Sequence, residues 1–158
     1  MKTPLRAVMV AAAALAASAC VAPDQHNADR AAIESVLATY ETALNASDTE
    51  TVLTLYTADG VFMPQHSLPS VGADAIRAAY GGVFNAIKLE IDFEIDEIAQ
   101  VAPNWAFVRT RSNGFVTINA TGNRVAEANQ ELFVFTRTDA GEWRIARYIF
   151  STTNPPRQ

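Results

Sequence analysis

Histidine and cysteine are almost missing from this chain: its 158 residues include two histidines and one cysteine. A protein-held zinc ion needs several converging His or Cys ligands, and isolated His26 and His66 do not supply them. No Asp/Asn loop with calcium-binding spacing appears either. No metal is therefore expected. The lone Cys20 rules out an internal disulfide, so packing must hold the fold. Basic side chains are the minority, 12 against 17 acidic, for a net charge of −5. That balance gives nucleic acid no electrostatic footing and provides no polybasic patch for anionic lipid. There is no glycine-rich phosphate loop and no nucleophile elbow, and neither Ser112 nor Ser151 has a histidine near it in sequence. Nucleotide-dependent chemistry and serine hydrolysis are not expected.

What is present begins with a leader. Lys2 and Arg6 precede an apolar run at 7–17, and Ala17-Ser18-Ala19 follows as a small-x-small cleavage site. The run is too short to span a bilayer. The expected organisation is a signal peptide at 1–19, a tether at 20–28 and one domain at 29–154. Ala17-Ser18-Ala19-Cys20 resembles a lipobox, with Ala17 where Leu is usual, and two readings stay open. In one, Cys20 is lipidated and anchors the mature protein to the envelope. In the other, ordinary cleavage releases the protein to the periplasm or beyond.

The domain reads as helices followed by strands. Ile33, Val36, Leu37, Tyr40 and Leu44 form one helical stripe within 28–46. Ser47-Asp48-Thr49-Glu50 matches a capping box for a second helix, expected to end at Asp59-Gly60. Val61-Phe62-Met63 is a short strand stopped by Pro64, and a third helix opens near Ala73. From Lys88 the period becomes two, with Leu89, Ile91, Phe93 and Ile95 alternating with acids. Three further strand-like runs follow, turning at 119–122 and at Asp139-Ala140-Gly141. The expected class is α+β: three N-terminal helices packed on a curved antiparallel sheet.

Three local patterns carry a family likeness. Tyr40-Glu41-Thr42-Ala43-Leu44-Asn45-Ala46-Ser47-Asp48 is similar to the end of helix one in ketosteroid isomerases and polyketide-cyclase-like proteins. Leu55-Tyr56-Thr57-Ala58-Asp59 with Val61-Phe62 is the second pattern. Gly72-x-x-Ala75-Ile76-Arg77 opening a helix is the third. In this order they resemble the nuclear transport factor 2-like superfamily, in its SnoaL-like and ketosteroid-isomerase-like branch. The resemblance implies a cone-shaped fold with a pocket for a small organic ligand, no cofactor, and a homodimer formed through the outer face of the sheet. It also puts Tyr40 where such isomerases carry a tyrosine and Glu131 where they carry a strand acid. The usual aspartate base has no counterpart in Val61-Phe62-Met63-Pro64-Gln65, so steroid isomerisation by that route is not expected.

Strand parity then defines a candidate site. With Glu131 inward, Asn129, Phe133 and Phe135 face inward too. An odd-length turn at 119–122 would set Glu131 opposite Arg109 or Arg111. The next turn sets Phe150 opposite Glu131 and Tyr148 opposite Phe133. The expected catalytic set is Tyr40, Glu131 and Arg109, with ligand contacts from Phe62, Phe107, Arg111, Asn129, Phe133, Tyr148 and Phe150. Two uses of this cluster stay open. In the first, Arg109 holds an anionic group while Tyr40 and Glu131 move protons, as in a cyclase, isomerase or lyase. In the second, an arginine simply pairs with Glu131 across the strands. The alternative to a pocket protein is a non-catalytic dimerisation module, whose face would include Ala106, Val108 and Leu132.

The anchor reading has a direct check. Cys20→Ala protein should appear in the soluble periplasmic fraction while wild type stays with membranes. A soluble wild type with an unmodified mass would remove the lipid.

Overall fold

The computed structural model describes residues 23–155, so the expected signal peptide at 1–19 and Cys20 lie outside the described residues. The elements are helix α1 (Pro23–Asn45), helix α2 (Thr49–Leu55), strand β1 (Tyr56–Met63), strand β2 (Ser70–Val71), helix α3 (Ala73–Ala86), and strands β3 (Ile87–Ala102), β4 (Trp105–Ile118), β5 (Arg124–Arg137) and β6 (Trp143–Thr152). Helix α1 thus starts earlier than expected and takes in most of the stretch read as a tether. Proline suits a first helical turn, whose N–H groups lack intrahelical partners anyway.

The buried side of α1 runs through Asp29, Ile33, Leu37, Tyr40 and Leu44, one stripe of a 3.6-residue period. Ser47, at φ 56°, closes this helix in a left-handed turn, and the Asp48 N–H returns to the Ala43 carbonyl. Asp48, rather than Ser47, then caps α2: its carboxylate accepts from the Thr51 N–H at 3.0 Å and the Thr51 hydroxyl at 2.6 Å. The second helix ends at Leu55, short of Asp59-Gly60. Tyr56 already has extended backbone and pairs with Ile145. Gly60 is needed where β1 shifts register, because a Cβ there would lie 2.9 Å from both the Tyr56 ring and the Thr57 carbonyl.

The sheet has six strands in the order β2-β1-β6-β5-β4-β3. It is mixed rather than wholly antiparallel, because β1 pairs with β6 in parallel. Strands β3 to β6 are joined by short turns and must alternate in direction. The connection from β1 to β6 is long and imposes no such rule.

Strand β3 is an edge, and an edge exposes backbone groups that invite pairing with another chain. The last turns of α1 cover it. Asn45 donates to the Ile91 carbonyl at 2.7 Å and accepts from the Ile91 N–H at 2.9 Å, while Glu41 accepts from the Phe93 N–H at 2.7 Å. At the other end of α1, buried Asp29 accepts from Trp143 Nε1 at 3.1 Å, Gln25 at 2.9 Å and Gln100 at 3.0 Å, with Arg137 at 3.5 Å. Burial alone would raise the Asp29 carboxyl, but these hydrogen bonds and the Arg137 charge outweigh it and hold the group below the usual range. Helix α1 is thus fastened at both ends, and its middle, at Tyr40, lies over the aromatic core.

Candidate functional site

Register decides what faces that core. The turn after β4 is four residues long: Ile118 N–H bonds the Asn123 carbonyl, Gly122 at φ 71° returns to Ile118, and Thr117 pairs with Arg124. This even-length turn sets Thr110, not Arg109 or Arg111, opposite Glu131. The β4 side chains directed inward are therefore Ala106, Val108, Thr110 and Ser112, all buried. A one-residue slip moves a whole strand's side chains to the other face, and the expectations for β4 fail together for that reason. Arg109 and Arg111 lie on the outer face. The Arg109 Nε donates to Glu97 at 2.8 Å; Arg111 donates to Asp96 at 3.0 Å and to Glu94 at 2.7 Å. Neither pairs with Glu131 nor reaches the pocket. Phe107 turns outward with them, and Ala106 and Val108 are in the core rather than on a dimer face.

The turn between β5 and β6 gives the expected register along the part of the strand that matters. Glu131 is opposite Phe150 and Phe133 opposite Tyr148; a bulge at Val134/Phe135 shifts the pairing only beyond them. Glu131 does face inward, buried, and accepts short hydrogen bonds from the Thr110 hydroxyl at 2.6 Å and the Ser112 hydroxyl at 2.5 Å. Burial raises its carboxyl above the ordinary value, against the lowering effect of the two hydroxyls. Asn129 donates in turn to Ser112 at 3.3 Å.

Beneath the helices lies a cavity of about 220 Å³. Its walls include the rings of Phe62, Tyr80, Tyr148 and Phe150, the side chains of Leu89 and Val116, and a polar set made of Tyr40, Gln65, Ser112, Glu127 and Asn129. Phe62 stacks on Tyr80 with centroids 4.6 Å apart, and Tyr148 stacks on Phe133 at 4.1 Å. Of the expected residues, Tyr40, Phe62, Asn129, Tyr148 and Phe150 line this cavity. Phe133 backs its wall through Tyr148. Glu131 is not itself in the wall and connects to it through Ser112 and Asn129. Tyr80, Gln65, Ser112 and Glu127 were not foreseen as site residues. Tyr80 reads as helix-three core, and Glu127 shares the parity that marked Asn129 and Glu131.

The tyrosines form a hydroxyl chain. Tyr40 Oη lies 2.5 Å from Tyr80 Oη, and Tyr80 Oη lies 2.9 Å from Tyr56 Oη. Three phenol hydrogens serve these two bonds, so one is left over. When Tyr56 donates to Tyr80 and Tyr80 to Tyr40, that hydrogen belongs to Tyr40 at the cavity wall, on the side of the Tyr148 hydroxyl. Burial, with the neighbouring phenols, pushes Tyr40, Tyr56 and Tyr80 well above the usual tyrosine range. At physiological pH these groups are neutral donors and not bases.

Glu131 yields a test with a defined sign. A carboxyl whose folded value is raised contributes stability in full below its unfolded value, and that contribution is lost as pH rises through the folded value. Glu131→Gln should therefore unfold no lower than wild type at pH 8, with the difference vanishing near pH 4. A melting temperature lowered by more than about 3 °C at pH 8 would show that the charge stabilises the fold.

A SnoaL-like domain matches residues 36–148. The ketosteroid isomerase-like protein of Erwinia carotovora atroseptica is 37% identical, covers 82% of this chain and 99% of its own, and superposes with a TM-score of 0.79. A putative scytalone dehydratase from Novosphingobium aromaticivorans is 19% identical over 83% of this chain and 88% of its own, with a TM-score of 0.71. A hexachlorocyclohexane dehydrochlorinase from Novosphingobium barchaimii is 10% identical over 84% and 92%, with a TM-score of 0.76. At those identities the latter two show the shared fold alone. No curated protein matches the chain. The match across 36–148 and the fold agree: the chain belongs to the SnoaL-like domain family, with the nuclear transport factor 2-like fold.

Proposed function

We propose that this protein binds a small planar ring compound bearing a carbonyl, and moves protons on it without a cofactor. The observation that carries the reading is the Tyr56–Tyr80–Tyr40 hydroxyl chain ending at an aromatic cavity. A neutral phenol held by a second phenol is a pre-oriented donor for an oxygen that gains charge during reaction. Stacked rings at Phe62, Tyr80 and Tyr148 favour a flat apolar ligand. Size limits the choice: a cavity of about 150 Å³ takes one benzene, so about 220 Å³ suits one substituted ring or a small fused pair. A four-ring steroid does not fit. Relatives named as a dehydratase and a dehydrochlorinase are consistent with catalytic use of this fold.

The probe is 2-indanone in D₂O, with loss of its α-proton signals followed by NMR above the buffer rate. Wild type should speed this exchange, and Tyr40→Phe should slow it by about 100-fold, the effect of removing one oxyanion donor. Equal rates for the two proteins would remove Tyr40 from the chemistry.

A second reading concerns the outer face, and a specific feature favours it. Leu132 and Ile149 are directly paired there and both exposed, with Arg109, Arg111, Gln130 and Ser151 around a groove of about 470 Å³. Apolar surface ringed by polar groups suits association. We propose that this face pairs two copies of the chain, and that the protein works in the cell envelope, as its leader suggests. Light scattering at micromolar concentration should give a dimer for the mature domain and a monomer for Leu132→Asp. A monomeric wild type would remove the interface.

A further inference from the structure

We infer that Asn129 is a specificity residue of this cavity: its amide oxygen calls for a ligand whose ring also carries a hydrogen-bond donor, an O–H or N–H. This rests on the ring-binding reading above and narrows it. Asn129 lines the cavity and is only 7% exposed. Its Oδ1 is buried and has no hydrogen-bond partner among the described residues. No other side-chain atom of the cavity wall is left in that state among the described residues. Buried polar groups are nearly always paired, so an unpaired one at a cavity wall points to what the cavity takes.

The sense of the amide is fixed by its neighbour. Ser112 stands directly opposite Asn129 on β4, and the single hydrogen of its hydroxyl goes to Glu131 at 2.5 Å. The other Glu131 oxygen takes its hydrogen from Thr110 at 2.6 Å. Toward Asn129, Ser112 therefore offers only a lone pair, which accepts from the NH₂ side of the amide at 3.3 Å. Turning the amide over would set oxygen against oxygen. Oδ1 is thus the end of the amide that the protein does not satisfy.

The hydroxyls on either side of Asn129 are both spent. Thr152 is its opposite residue on β6, and the Thr152 hydroxyl donates to the Ala128 carbonyl at 3.1 Å. The Thr152 N–H goes to Gln65 Oε1 at 2.7 Å. A ligand that fills the cavity excludes water from this wall, so the hydrogen for Oδ1 must come from the ligand itself. A ring without a donor leaves the acceptor dry and unpaired, which costs on the order of 10-fold in affinity. Tyr40 donates to the ring carbonyl and Asn129 accepts from the ring substituent. Groups of opposite sense thus read the two polar ends of the ligand and set its orientation.

The probes are the 4-hydroxy and 5-hydroxy derivatives of 2-indanone, each beside the fluoro derivative at the same position, which is similar in size and donates nothing. Because 2-indanone is symmetric, these two positions cover its benzene ring. Calorimetry gives the ratio of each hydroxy compound's affinity to that of its fluoro partner. For wild type, one of the two ratios should reach about 10. In Asn129→Leu, which keeps the volume and removes the acceptor, that ratio should fall to about 1. Asn129→Ala is a second variant with the same expected loss, for use where the leucine protein does not fold. Wild-type ratios near unity at both positions overturn the inference. So does a preference that survives in either variant, because another group would then be reading the hydroxyl. Wild type that binds none of these ketones overturns the ring-binding reading and this one with it. Wild type that binds them with no gain from either hydroxyl overturns the Asn129 assignment alone.

Discussion

Thr110 lies opposite Glu131, and the character of the pocket follows from that pairing. Had the strands slipped by one residue, a guanidinium would face the buried carboxylate and the hollow would hold an ion pair. As built, two hydroxyls meet the acid, and both arginines stand outside among Glu94, Asp96 and Glu97. Hydroxyls satisfy lone pairs without cancelling charge, so the cost of burying Glu131 is met only in part. Its carboxyl is correspondingly raised rather than lowered. The exposed arginine pairs contribute little to stability and instead give the outer face its polarity.

The register also explains which features could be read from sequence. Strand existence and inward parity on β5 were legible, because Asn129, Glu131, Phe133 and Phe135 alternate with polar or smaller residues and a period of two leaves one choice. Parity on β4 was carried by charge, since Ala106, Val108, Thr110 and Ser112 have none while Arg109 and Arg111 have two, but an odd closure of the next turn would override that signal and set the arginines inward. The 119–122 loop admits odd and even closures, and its four-residue form with Gly122 left-handed is a backbone fact that residue types do not dictate. The second helix was overextended for a related reason. Tyr56 fits a helical stripe, but the sheet recruits it, and pairing with β6 outweighs local propensity. The parallel β1–β6 contact joins segments far apart in sequence, where local pattern carries no signal.

The tyrosines show how packing and chemistry share one arrangement. All four in the chain are buried in a single aromatic core, with Tyr40 edge-on to Tyr80, Phe133 and Tyr148. A phenol buried among rings must find a hydroxyl partner or lose a hydrogen bond. Three of them solve this mutually, and an open chain of three hydroxyls makes two bonds, so one hydrogen is left to point beyond it. That remaining donor is a by-product of satisfying the core, and it emerges where α1 meets the cavity. Both ends of α1 are fastened to the sheet, by Asp29 at one end and by Glu41 and Asn45 at the other. Tyr40 therefore cannot drift from that position without breaking contacts at a helix terminus.

One strand face then presents two carboxylates in contrasting surroundings. Glu131 is enclosed by Thr110, Ser112 and Phe150, whereas Glu127 faces the bare backbone of Gly114 at the cavity's margin. Environments that separate like groups are what divide roles between them in proton-transfer sites. Enclosure ties Glu131 to its hydroxyls and, through Ser112 and Asn129, to the geometry of the wall. The glycine that makes the difference is fixed by the close approach of β3 at Glu90, a constraint of sheet packing with no reference to any ligand. The close packing of β3 on β4 thus shapes the cavity's margin as well as the sheet.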